Sequence, residues 1–133
     1  MLEKNSYDFS FSGLKTSVLN YMNHQKQKNL EINKADLAAS FQEAVLDVLV
    51  EKSMRLIDET GLKTFAVSGG VAANSRLKLR LKEECEKRGV KFYYPDIILC
   101  TDNAAMIAMA GYLNYKAGKR SDNYLKVYPN LGL

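Results

Sequence analysis

The run from Phe65 to Tyr94 limits the possible folds more than any other part of the chain. Phe65 to Val67 is a short apolar run of strand type, Gly69 and Gly70 break it, and a helical pattern follows at once. That pattern carries a narrow apolar stripe of Ala73, Leu77, Leu81 and Cys85, and Gly89 ends it. Val90 to Tyr94 supplies a second strand after a tight connection, and strand-helix-strand units of this kind are nearly always parallel. An α/β class follows. A strand that feeds a helix through two glycines lets backbone approach a ligand closely and aims free N–H groups at it, so the turn is a candidate phosphate or nucleotide seat. Packing alone explains such a turn equally well. The rest of the helix holds Arg76, Lys78, Arg80, Lys82, Lys87 and Arg88, with Glu83, Glu84 and Glu86 near its end. Mixed acids and the lack of interleaved aromatic residues favour a solvated basic face over a nucleic-acid footprint.

The other elements are expected around this unit. Phe9 and Phe11 alternate with Ser10 and Ser12, a period-two pattern for a short strand. Ser12 then caps a helix that places Leu14, Val18, Tyr21 and Met22 on one face. The polar stretch from Asn23 to Lys34 reads as a frayed helix end and a loop, and it contains the only histidine, His24, as a solvated residue. Asn33 caps the strongest helix, with Asp36 completing a loose capping box. Leu37, Ala38, Phe41, Ala44, Val45, Val48 and Leu49 keep helical spacing, Met54, Leu56 and Ile57 extend it, and Gly61 stops it. This is the expected central core helix.

After Pro95, Thr101 is the expected cap of a last helix containing Ala104, Ala105, Ala108, Met109, Tyr112 and Leu113. The small residues Ala104, Ala108 and Gly111 predict close approach to another element. Asp102 falls in the first turn, where the helix dipole favours a carboxylate. Tyr124, Leu125, Val127 and Tyr128 provide a tail with enough apolar surface to strap onto the body.

At 133 residues and 47% hydrophobic content the chain suffices for one domain with a core, and 26% charged residues argue against disorder. No apolar run approaches the roughly 18 to 20 residues that span a bilayer, and the amino terminus has no apolar signal core, so a cytoplasmic location is expected. Cys85 and Cys100 lack ligand spacing and are expected to be reduced and structural. A net charge of +4 permits an anionic partner without requiring one.

Three ordered stretches, DFSFSGLKT (Asp8 to Thr16), AVSGGVAANSRLK (Ala66 to Lys78) and CTDNAAMIAMAG (Cys100 to Gly111), resemble the carboxy-terminal part of the tRNA threonylcarbamoyladenosine-modifying transferases. That family has also been labelled O-sialoglycoprotein endopeptidase or glycoprotease. The resemblance implies an actin-like architecture, shared with sugar kinases and Hsp70-type ATPases, in which two α/β lobes close over a nucleotide. Residues 1–133 would form one carboxy-terminal lobe portion with a short, mainly parallel sheet. The implied activity moves a threonylcarbamoyl group from its adenylate to the adenosine beside the anticodon of tRNA, with accessory proteins of the pathway as further partners. By motif position, Asp102 matches the aspartate of the family's single divalent metal site, iron or zinc. Asn74 matches the asparagine that contacts the adenine nucleotide, and Gly69 and Gly70 match the adenosine-side turn.

The HxxxH pair that supplies the family's other metal ligands is absent, because His24 has no partner. The chain is therefore expected to be a portion under half of the family's usual length, inactive alone, without its metal, and able to self-associate through surfaces that a missing lobe would cover. Two other readings stand beside this one. A phosphotransferase or ATPase of the same architecture shares the glycine turn but lacks the CTDNAAMIA stretch. A noncatalytic half-domain would dock a nucleotide or partner through the basic helix and the small-residue face. The endopeptidase label has no support in a nucleophile, an HExxH helix or a water-activating carboxylate pair.

Overall fold

The computed structural model describes residues 6–122, 124 and 126. Four helices, α1 (Ser12–Gln27), α2 (Lys34–Thr60), α3 (Ser75–Lys87) and α4 (Ala104–Lys116), accompany two strands, β1 (Thr64–Ala66) and β2 (Lys91–Tyr93). The strands pair in parallel with Phe65 opposite Phe92, so the expected α/β unit forms. Its sheet has two strands among the described residues.

α2 begins where its cap chemistry requires. Asn33 Oδ1 accepts from the Ala35 and Asp36 N–H groups at 3.1 and 3.3 Å, and Asn33 Nδ2 donates to Asp36 Oδ2 at 2.7 Å. Gly61 ends it at φ 68°, its N–H reaching the Ile57 carbonyl at 2.9 Å. The core joins the second half of α2 to α3 and the sheet. Leu46, Val50, Met54 and Ile57 meet Leu77, Leu81, Cys85 and Val90, while Leu49, Phe65, Val67 and Phe92 pack at its margin. The α3 stripe thus lies where expected. On α2 the buried seam differs from the predicted one, because Leu56 is 41% exposed and Phe41 lies in an apolar groove beside Val18 and Met22 of α1. α2 is apolar on more than one side, and contact with α3 and the sheet decides which side forms the core.

The strand expected at Phe9 and Phe11 does not form. Ser6 to Phe9 lie on α2 instead, where Arg55 Nη2 donates to the Ser6 carbonyl at 2.9 Å and Lys52 Nζ to the Asp8 carbonyl at 2.5 Å. The Tyr7 hydroxyl donates to the Glu59 carboxylate, and the Arg55 guanidinium lies 4.7 Å from the Tyr7 ring centroid. Cations of α2 therefore satisfy carbonyls that a strand ladder would have used. Lys52, only 3% exposed, is buried beneath this segment. Ser12 is the first helical residue rather than the cap, and the cap position falls to Phe11, which makes no side-chain bond. α1 continues to Gln27, farther than the predicted frayed end, with His24 exposed in its last turn.

Two expectations about α4 also change. Asn103, not Thr101, caps the helix, its Oδ1 accepting from Met106 N–H at 3.0 Å, so Asp102 lies before the cap rather than in the first turn. Gly111 would meet nothing within 4 Å if it carried a Cβ, and Ala104 and Ala108 are exposed, so among the described residues no element packs closely against these small residues. No residue of α4 is buried. In the tail Tyr124 is 85% exposed, while Leu125, Val127 and Tyr128 lie outside the described residues. No helix among the described residues is long and apolar enough to cross a membrane.

Candidate functional site

The parallel strands set the location, since ligands of open α/β sheets bind beyond the carboxyl ends of the strands. Val67 N–H still donates to the Tyr93 carbonyl at 3.0 Å, and the chain then leaves the sheet through Ser68 and Gly69. Gly69 has φ 88° and ψ 173°, a conformation that essentially only glycine adopts. It leads into a single 3₁₀ turn, Gly70–Ala73, anchored by Ala72 at 1% exposure. α3 starts only after that turn, which corrects the expectation of a helix opening directly at the glycines. A Cβ built at Gly69 or Gly70 meets nothing within 4 Å, so the turn presents open backbone.

The backbone conformation of Gly69 makes a direct prediction. Gly69→Ala should cost about 1–3 kcal/mol of strain with no steric clash, whereas Gly70→Ala, at negative φ, should be neutral or stabilise slightly. Urea denaturation of the two variants checks this, and equal midpoints would show that Gly69 is not strained.

Asn74 is bonded through both ends of its amide. Its Oδ1 accepts from Leu77 N–H at 2.9 Å and caps α3, while its Nδ2 donates to Gln42 Oε1 of α2 at 3.0 Å. The carboxamide is thus pre-oriented beside the glycine turn. Gln42, which sequence reading did not single out, holds it there from 32 residues away.

The cations of α3 are less free than their sequence implies. Arg76 Nε donates to Glu43 at 2.9 Å, and Arg80 reaches Glu43 at 3.1 Å and Asp47 at 2.8 Å. Arg88, just past the helix, pairs with Asp58 at 2.9 Å and with Glu84 at 2.5 Å. The hydrogen bond to Glu43 raises the pKa of Arg76, and bonds to Asp58 and then Glu84 raise that of Arg88. Lys87 and then Arg88 lower that of Glu84. Arg76, Arg80 and Arg88 thus pair with carboxylates of α2, while Lys82 and Lys87 stay exposed, as expected of a solvated face. Burial raises the Cys85 thiol pKa, in keeping with a structural role, and Cys100 is also buried and free.

Lys78 differs from its neighbours. Its ammonium lies 5.3 Å from the ring centroid of Tyr94, the residue that follows β2. Its position one helical turn after Asn74 is the only sequence signal that could have linked it to the site.

Asp102 is exposed, and no hydrogen bond or ion pair among the described residues joins it to the glycine turn. No three His, Cys, Asp or Glu side chains among the described residues gather into a metal-binding group. These residues alone therefore do not fit the expected metal site, to which Asp102 could bring one carboxylate.

Comparison with known proteins agrees with the family resemblance. The family described as TsaD, tRNA N6-adenosine threonylcarbamoyltransferase, matches residues 1–109. A relative of that name from Clostridioides difficile (strain 630) is 52% identical over 130 residues, covering 98% of this chain and 38% of its own length. Relatives of the same name from Desulfitobacterium hafniense (strain Y51) and Bacillus cereus are each 50% identical over 133 residues, with 39% of their own length covered. The glycine turn, the capping asparagine and the CTDN segment thus lie in a chain that belongs to the tRNA N6-adenosine threonylcarbamoyltransferase family and spans 38–39% of the length of these curated relatives.

Proposed function

We propose that this chain is the carboxy-terminal lobe portion of an actin-like enzyme that transfers threonylcarbamoyl from its adenylate to an adenosine of tRNA in the cytoplasm. The observation that carries the reading is the 52% identity over 98% of the chain to a relative bearing that activity's name. In the reaction the adenosine amine attacks the carbamoyl carbon, the bond to the adenylate phosphate breaks, AMP leaves, and the amine loses a proton. The residues of this chain contribute orientation. The Gly69–Gly70 backbone lies against the adenosine side of the adenylate, and Asn74, fixed by Gln42, offers its polar contact. Holding reactants in place can supply several kcal/mol of a barrier, about 7–11 in well-oriented cases.

Asp102 would supply one carboxylate ligand to the divalent metal, iron or zinc, of the whole enzyme, the other ligands lying in the portion of the family that this chain does not span. One carboxylate alone is a poor site, and half a cleft does not exclude water. The isolated chain is therefore silent, and tRNA and the accessory proteins of the pathway are partners of the whole enzyme.

The test is a chimera in which this chain replaces the matching 38% of the Clostridioides difficile relative. The chimera should modify tRNA when given threonylcarbamoyl-adenylate, Asp102→Ala should lower its turnover by at least the roughly 10- to 100-fold lost when a group that merely supports a metal ligand is removed, and the isolated chain should give no turnover. A folded chimera with no transfer, or turnover by the isolated chain, would overturn the reading.

A further inference from the structure

We propose that Lys78 is the contact for the anionic phosphate of the nucleotide seated at the Gly69–Gly70 turn, an inference that rests on the reading of that turn as the adenylate seat. Other cations of α3 have carboxylate partners: Arg76 has Glu43, Arg80 has Glu43 and Asp47, Lys82 has Glu86 at 3.8 Å, and Lys87 has Glu84 at 2.5 Å. Among the described residues Lys78 has none. Its half-buried side chain instead places the ammonium against the Tyr94 ring at 5.3 Å.

Location gives that unspent charge its role. Tyr94 follows β2 at the carboxyl end of the sheet, and Tyr93 is joined through its carbonyl to Val67, two residues before Gly69. The ammonium therefore stands at the strand end from which the glycine turn departs, one helical turn beyond Asn74. A ring face holds a cation without neutralising it, and an arriving phosphate offers charge-assisted hydrogen bonds that an aromatic ring lacks. The aromatic contact thus holds Lys78 at that strand end and available, while the carboxylates of α2 occupy Arg76 and Arg80 on the other side of the helix.

The phosphate is what distinguishes AMP from adenosine, so the two ligands isolate the contact. In chemical-shift titrations of the isotope-labelled chain, Lys78→Gln should weaken AMP binding about tenfold and leave adenosine binding unchanged. Lys78→Arg, which keeps the charge, should retain most of the AMP affinity, and Lys82→Gln should match the parent chain. Added salt should weaken AMP binding to the parent more than to Lys78→Gln. Equal AMP binding by the parent and Lys78→Gln, or an equal loss of AMP and adenosine, would overturn the role of Lys78 alone. Failure of the parent chain to bind either ligand would overturn both this role and the seat on which it depends.

Discussion

Replacing Leu81 by alanine should destabilise the folded chain by about 2–5 kcal/mol, the range for emptying a buried leucine site. Leu81 is 2% exposed and sits between Leu77 and Cys85 in the α3 stripe that meets Leu46, Val50, Met54 and Ile57 of α2. That single helix-on-helix seam, closed at its margin by Phe65 and Phe92, is the main core among the described residues. α1 and α4 contribute no buried residue, so few other contacts can absorb the loss. A domain with a total stability near 5 kcal/mol, the low end of the usual range, would be largely unfolded by the upper half of that penalty. Leu79 lies on the same helix but is 48% exposed, so Leu79→Ala should stay within about 0.5 kcal/mol of the parent. Urea denaturation midpoints would measure both. A Leu81→Ala midpoint equal to that of Leu79→Ala would mean the α2–α3 seam does not carry the fold.

The elements legible in the sequence are those whose causes are local. Asn33 and Gly61 bound α2 through groups within four residues, and the Leu77, Leu81, Cys85 spacing is helical arithmetic that any packed neighbour would reward. The parallel pairing of β1 and β2 followed from the helical crossover between them. What misled was remote or ambiguous. Phe9 and Phe11 alternate like a strand, yet Lys52 and Arg55, more than forty residues away, take the neighbouring carbonyls. Thr101 and Asn103 can both cap a helix, and only the backbone path selects Asn103. Arg76 and Arg80 read as solvated because Glu43 and Asp47 lie on another helix. For the site, the glycine turn was legible as a conformational break, whereas the orientation of Asn74 by Gln42 and the placement of Lys78 on Tyr94 depend on tertiary contacts. The roles given to Asn74 and Asp102 rested on motif resemblance, because neither spacing nor charge alone makes a ligand of either.

The isolated chain should self-associate, and α4 should be the surface responsible. Its sequence, AAMIAMAGYLNYK, has Lys116 as its sole charged residue, and a helix apolar on all sides belongs in an interior. Instead Met106, Ile107, Met109, Tyr112, Leu113 and Tyr115 are 49–66% exposed, and the preceding Ile97 and Ile98 are 67% and 79% exposed. Such a run differs from the singly scattered apolar exposure of an ordinary monomer. The relatives are longer than the segment matched here, and for the isolated chain a second copy is one way to cover this surface. Sedimentation should therefore give at least twice the 15.0 kDa chain mass at micromolar concentration. Ile107 and Leu113 lie about 120° apart around the helix, so Ile107→Glu combined with Leu113→Glu puts charge on two of its sides, and glutamate is a good helix former. The double variant should sediment as a monomer with unchanged helix content. A monomeric parent would show that the exposed helix tolerates water, and an associating double variant would move the contact to another surface, such as the open face of β1 and β2 that carries Ala66 and Tyr93.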